Sequence, residues 1–243
     1  MTRRRFFAPP GAFNFATQSV TLTADEARHL REVLRLKPGD EVHVFDGAGK
    51  EFRAVVMQAR RDSAELELKD EIASARPESP LQLTLAVALL KGEKFDLVVQ
   101  KGTELGVNRF VPLTTRYADI RLRDEADAAK RVTRWQRIAL EAAKQCGRSV
   151  VPEISKPTAF ASIISEDSCL VFAERNGEPL NTDLKHKNLV AVVGSEGGWS
   201  DKELDQARAA NVPIVTLGGR VLRAETAAIT AAVLLQHLYG DLK

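Results

Sequence analysis

Cysteine is nearly missing. Cys146 and Cys169 are the only two in 243 residues and neither stands in a Cys-x-x-Cys pair, so no disulfide framework is expected and a reducing, cytoplasmic setting is. The four histidines (His29, His43, His186, His237) lack metal-ligand spacing, and no metal site is predicted. No run of eighteen apolar residues is present, which argues against a transmembrane helix and a membrane partner. The first residues, Met1 to Phe7, are basic but lack the apolar core and small-residue cleavage site of a secretory signal. There is no Gly-Lys-Ser/Thr and no full Gly-x-Gly-x-x-Gly, so the standard phosphate loops are excluded. Ser195 lies in Gly-Ser-Glu-Gly rather than Gly-x-Ser-x-Gly, and no histidine is placed to serve it. A serine hydrolase is set aside.

Net charge is also small, +2, but it is unevenly spread. Residues 1–72 balance twelve basic against twelve acidic side chains, 91–148 hold thirteen against eight, and 149–243 hold nine against twelve. The positive middle segment predicts a polyanionic partner.

Residues 1–72 predict a small, mostly β unit, a barrel. Val42 and Val44 alternate with polar neighbours, as do Ala64, Leu66 and Leu68, the period of half-buried antiparallel strands. Asp25 to Leu36 fits a short helix with Leu30, Val33 and Leu34 on one stripe, ended by Lys37-Pro38-Gly39-Asp40. Residues 73–80, with two prolines and no apolar periodicity, read as a linker. From 81 to 243 strand and helix alternate: strands at Leu81–Leu90, Val107–Leu113, Cys169–Ala173, Leu189–Val193 and Pro213–Leu217, and helices at Glu93–Leu105 and Asp127–Cys146. Ser200-Asp201-Lys202-Glu203 has the spacing of a capping box and predicts another helix start. This alternation predicts a doubly wound α/β domain.

Two glycine loops, Gly194-Ser195-Glu196-Gly197-Gly198-Trp199-Ser200 and Leu217-Gly218-Gly219-Arg220, each follow a strand and lead towards a helix. Glycine lets a ligand approach the backbone, and two such turns at strand carboxyl ends predict a crevice for a small molecule. The helix 127–147 carries Lys130, Arg134, Arg137, Lys144 and, just beyond, Arg148 on one side. With Lys91, Lys94, Lys101 and Arg116, this stripe predicts a track for a phosphate backbone. The basic start Arg3-Arg4-Arg5 could serve the same end or be a solvated arm.

These stretches resemble the bacterial 16S ribosomal RNA uracil-N3 methyltransferases, members of the SPOUT class of knotted RNA methyltransferases. The resemblance rests on an ordered set: Arg4-Arg5-Phe6-Phe7, His29-Leu30-Arg31-Glu32-Val33-Leu34-Arg35, Lys91-Gly92-Glu93-Lys94, Gln100 to Val107, Arg134-Trp135, Glu141 to Arg148, the two glycine loops and Leu222-Arg223-Ala224-Glu225-Thr226-Ala227. One departure is Ser195, where the family usually has proline.

The resemblance implies a PUA-like, RNA-binding β-barrel over 1–72 and a SPOUT domain with a trefoil knot over 81–243, which topology rules alone would not suggest. It implies S-adenosylmethionine as cofactor and N3 of a uridine in 16S rRNA as target, by resemblance uridine 1498 of the decoding region, within an assembled small subunit. A homodimer is also implied. The bottom-up reading agrees that Ala224–Leu238, apolar on nearly every side, must be covered, by the core or by a second copy. Cofactor contacts fall on Val193, Gly194, Glu196, Gly197, Gly198, Leu217, Gly218, Leu222, Arg223 and Thr226, and RNA contacts on Arg3, Arg4, Arg5, Arg35 and the cations of the middle segment. The uracil N3 proton must leave as the methyl arrives, with charge spreading onto O2 and O4. Arg223 is the candidate to stabilise that charge, or else a structural partner of Glu225. Glu225, Glu196 and Glu104 are the candidate bases, with Glu225 paired to Arg223 in the catalytic assignment. A related knotted methyltransferase of tRNA ribose, or an RNA-binding module with a vestigial cofactor site, would share much of this pattern.

Overall fold

The structure, a computed structural model, describes residues 4–180 and 187–243. The chain forms two compact units, one from Met1–Glu78 with Ala143–Val151 and one from Ser79–Ala142 with Pro152–Lys243.

In the first unit, β1 (Arg5–Phe7) pairs parallel with β4 (Glu41–Phe45). The sheet then continues antiparallel through β5 (Glu51–Ala59), β6 (Ala64–Ile72), β3 (Ser19–Leu22) and β2 (Phe13–Asn14). The alternating residues Val42, Val44, Ala64, Leu66 and Leu68 are all buried and meet Phe6, Val20, Leu22 and Leu30 in one core, as a period of two requires. The predicted helix at 25–36 is only partly α: α1 (Ala24–Arg28) passes into a π-helical turn, His29–Val33, closed by the Leu34 N–H to the His29 carbonyl at 3.0 Å. The wider turn rotates the following residues out of the apolar stripe. Leu30 stays buried, whereas Val33 and Leu34 are exposed.

Arg5 and the segment 143–151 differ most from expectation. Arg5 does not extend into solvent. Its Nε and Nη2 donate to the two oxygens of buried Glu51 at 3.2 and 3.0 Å, and its guanidinium also donates to the carbonyls of Ala143, Lys144 and Arg148. The guanidinium lies 4.5 Å from the Phe45 ring centroid. Ser149 Oγ donates to Glu51 as well, at 2.9 Å. Burial pushes the Glu51 carboxyl up, but the Arg5 hydrogen bond and charge, helped by Ser149 and the Ala75 N–H, hold it below its ordinary value. The stretch 143–151, assigned from sequence to the second domain, thus joins the first because it caps this buried pair. Lys144 donates to Glu26 at 2.6 Å, and Arg148, itself buried, donates to Glu78.

The second unit is a wholly parallel sheet in the order β10, β8, β7, β12, β11, β13, with β9 beside β8. The strands are β7 (Gln82–Ala88), β8 (Val107–Thr114), β9 (Glu153–Ile154), β10 (Thr158–Ala159), β11 (Cys169–Phe172), β12 (Asn188–Val193) and β13 (Ile214–Val215). The apolar runs of β7, β11 and β12 are buried nearly end to end, as strands covered on both faces must be. The helices are α2 (Lys94–Glu104), α3 (Glu125–Cys146), whose last turn belongs to the first unit, α4 (Phe160–Ile163), α5 (Asp201–Ala209) and α6 (Ala224–Tyr239). Helix α2 lies close on β8 at Gly102, where a Cβ would sit 2.6 Å from the Phe110 ring. The capping box of α5 is present: the Glu203 N–H donates to Ser200 Oγ at 3.3 Å and the Ser200 N–H to the Glu203 carboxylate at 2.9 Å. Among the described residues, no helix is long and apolar enough to cross a membrane and no group of three His/Cys/Asp/Glu could hold a metal.

Candidate active site

Strands β11, β12 and β13 are parallel neighbours, so their carboxyl ends open on one side. Each is followed by irregular backbone, and these segments line a recess at the carboxyl edge of the sheet, where ligands of open α/β sheets bind. Its wall is Phe172–Glu174 after β11, Val193–Ser195 with Gly198 and Trp199 after β12, Leu217, Arg220 and Leu222 after β13, and Ala224 and Ala227 at the start of α6. Trp199 anchors the first loop: its indole N–H donates to the Phe172 carbonyl at 2.8 Å and its ring lies on Phe160. Gly198 adopts φ +68°, which an L side chain rarely does, and beside it Glu174 leaves a Cβ only 3.0 Å of room.

Five of the expected cofactor residues, Val193, Gly194, Gly198, Leu217 and Leu222, form this wall. Five do not. Gly197 sits against Tyr117, where a Cβ would be 2.7 Å from Tyr117 Cβ and 3.1 Å from its carbonyl. Gly218, at φ +63°, has open space around it, and Arg223 and Thr226 are exposed. Glu196 turns to Lys94, whose Nζ donates at 2.8 Å, and the Lys91 N–H reaches the same oxygen at 3.4 Å. Not assigned to the cofactor from sequence were Phe172, Ala173, Glu174, Ala224 and Ala227, and, though they lie in the two glycine loops, Ser195, Trp199 and Arg220; Glu174 could have been found, because it follows a third strand at the same carboxyl edge.

Beside the recess lies a charged group that sequence spacing did not announce. Lys94 stands between Glu196 and, at 3.8 Å, Glu225. The Glu196 hydrogen bond raises the Lys94 ammonium, against some burial, with further help from both carboxylates and opposition from the Arg223 charge. Burial pushes the Glu196 carboxyl up, but the Lys94 hydrogen bond and backbone N–H groups outweigh it and hold the carboxyl low. A carboxylate so held is a poor proton acceptor. Glu104, on α2, is taken by Lys101 at 2.9 Å. Glu225 differs: its side chain is 13 % exposed, and its buried Oε2 has no hydrogen bond among the described residues. Arg223 makes no ion pair with it; the guanidinium has no hydrogen-bond or ion-pair partner among the described residues, and the residue caps the start of α6 from outside.

The expected RNA residues separate by environment. Arg5, Lys144 and Arg148 are corrected to interior ion pairs of the first unit, and Lys94 belongs to the carboxylate cluster. Lys101 is tied along its helix to Glu104. Arg134 is exposed yet bonded to Asp96, which also accepts from Trp135. Lys91 is exposed and paired with Asp119. Arg4, Arg35, Arg116 and Arg137 are exposed; Arg3 lies outside the described residues. Cys169 is no nucleophile, because burial pushes its thiol up to about 12.

Comparison with known proteins agrees with this architecture. A family model described as an RNA methyltransferase domain matches residues 77–236, and one described as an RNA methyltransferase PUA domain matches 22–69. The chain is 36% identical over 230 residues to the ribosomal RNA small subunit methyltransferase E of Synechocystis sp., a match covering 90% of this chain and 73% of that one. It is 29% identical to the protein of that name from Bacillus subtilis, over 91% and 92% of the two chains. The crystal structure of a ribosomal RNA small subunit methyltransferase E from Neisseria gonorrhoeae bound to S-adenosyl methionine superposes with a TM-score of 0.87 at 34% identity, covering 100% of both chains. A putative methyltransferase from Legionella pneumophila in complex with the same cofactor gives 0.88 at 30%, also over 100% of both. With two family models in the expected order and full-length relatives at this identity, the chain belongs to the RNA methyltransferase family that includes the ribosomal RNA small subunit methyltransferases E.

Proposed function

We propose that this protein transfers a methyl group from S-adenosylmethionine to N3 of a uridine in 16S rRNA, by resemblance uridine 1498, within the assembled small subunit. The observation that carries the reading is the recess at the carboxyl ends of β11, β12 and β13, with Arg223 and Glu225 at the adjoining helix start. The wall suits the cofactor: Val193, Leu217 and Leu222 offer apolar surface, the glycine loops offer backbone, and buried Ser195 Oγ has no hydrogen-bond partner among the described residues. Bound there, S-adenosylmethionine supplies a methyl group activated by its sulfonium charge.

The chain's own residues then have two tasks. N3 of uracil gains the methyl carbon and gives up its proton, and Glu225 Oε2, the carboxylate oxygen without a hydrogen bond, is the acceptor. Charge that develops on O2 and O4 meets the Arg223 guanidinium, which no carboxylate of the described residues ties down. N3 lies on the Watson–Crick edge, so the base must be unpaired to enter. The same proposal includes the trefoil knot, which the resemblance to the SPOUT class implies. It also includes a homodimer, supported by the exposed apolar side chains Leu97 on α2 and Val233 on α6. Mass-spectrometric mapping of small-subunit rRNA from cells lacking the protein tests the function. One N3-methyluridine should disappear and return with the gene; an unchanged map would reject it.

A further inference from the structure

Ser195 has no part in the chemistry above. It follows β12 in the first glycine loop, is only 6 % exposed, and lines the recess. Its Oγ is shielded from water and has no hydrogen-bond partner among the described residues. The main chain around it is engaged without the hydroxyl: the Ser195 carbonyl accepts from the Gly198 N–H at 3.0 Å, closing the turn. The hydroxyl is therefore not needed to build the loop. Nor is the residue conformationally forced, since its φ is not among the positive values found along the chain. Alanine would make the same turn.

A buried hydroxyl without a partner is destabilising, because it has left water and gained nothing. Such a group calls for an explanation, and one that lines a recess has a ligand within reach as its partner. We propose that Ser195 is a cofactor-binding residue whose hydroxyl forms a hydrogen bond with a nitrogen or oxygen of bound S-adenosylmethionine, and that the ligand-free protein gives up stability to keep it. The inference rests on the proposed cofactor reading and deepens it. A serine hydroxyl can turn about Cα–Cβ among staggered positions, so it can reach a ligand in the recess without moving the loop.

The two expected effects have opposite signs, which separates them from a general structural role. Ser195→Ala should raise the Tm of the ligand-free protein by about 1–4 °C, since an unsatisfied group is removed. It should weaken S-adenosylmethionine binding by about 3- to 30-fold in isothermal titration calorimetry, the range for one hydrogen bond to a ligand. Ser195→Cys, close in shape but a weak donor, should fall between on affinity. If Ser195→Ala binds the cofactor as tightly as the unaltered protein, or loses stability and affinity together, Ser195 is only a turn residue and the inference is wrong. If the unaltered protein itself shows no binding, the cofactor reading fails and takes the inference with it.

Discussion

Arg223 has a positive charge, an exposed side chain and no protein partner among the described residues, next to a carboxylate that could have paired with it. A guanidinium left in that state contributes little to the fold, so Arg223→Ala should leave Tm nearly unchanged. Turnover should fall about 10²- to 10³-fold, as for removal of one preorganised donor, measured as methyl transfer to small subunits at saturating cofactor. Arg223→Lys should recover only part of the rate, because it keeps the charge but not the planar fork. Glu225→Gln should lower turnover by roughly 10²- to 10⁴-fold, the contribution of a positioned base, with cofactor affinity held within a few-fold. If Glu196→Gln instead gave the larger rate loss, the proton acceptor would be misassigned. That Arg223 and Glu225 share one helix start was readable from spacing, but their relationship was not. Lys94 meets Glu225 from another helix, and no local pattern links residues so far apart in sequence.

Elements were legible where their signals were local. The capping box at Ser200–Glu203 closes within four residues, and period-two alternation marked β4 and β6 because each strand has one covered face. The π-helical turn after α1 was not legible, since the same residues satisfy an α-helical period. The basic stripe of α3 shows the limit most plainly. Helical spacing puts Arg134, Arg137 and Lys144 on one side, yet Lys144 is engaged by Glu26, Arg134 is bonded to Asp96, and Arg137 is exposed. Reversing Arg137, which no described carboxylate holds, should therefore flatten the salt dependence of RNA binding, by about 0.9 in log–log slope for each duplex phosphate no longer neutralised, without unfolding. Lys144→Glu should instead destabilise the first unit, because it places two carboxylates together. Filter binding from low to high salt, with thermal unfolding alongside, separates the two effects.

At the scale of the whole chain, the two-part plan was readable from the change of periodicity after residue 80, but not which segment completes each part. Arg5 and Glu51 are 46 residues apart, and Arg5 also binds carbonyls 138 and 139 residues away. A basic residue near a terminus reads the same whether it meets phosphate or a buried carboxylate. Removing the arginine leaves a buried charge uncompensated, so Arg5→Ala should cost about 3–5 kcal/mol of stability in the first unit, read by denaturant unfolding. The pH dependence follows from Glu51, whose folded carboxyl lies below its unfolded value of 4.5. Its contribution is complete above that value and is lost as pH falls through the depressed folded one. Arg5→Ala removes the chief cause of the depression, so acid unfolding of the first unit should begin at higher pH than in the unaltered protein.

Together, the recess and the α6 start are proposed to place a methyl group on N3 of one uracil. The most direct test is to incubate small ribosomal subunits lacking the modification with the purified protein and methyl-deuterated S-adenosylmethionine, then digest the rRNA and locate the label by tandem mass spectrometry. One deuterated methyl per subunit is predicted, on N3 of a single uridine of 16S rRNA, and none in the Arg223→Ala or Glu225→Gln protein under single-turnover times that saturate the unaltered one. Label on a ribose oxygen, on another base, or no label despite bound cofactor would contradict it.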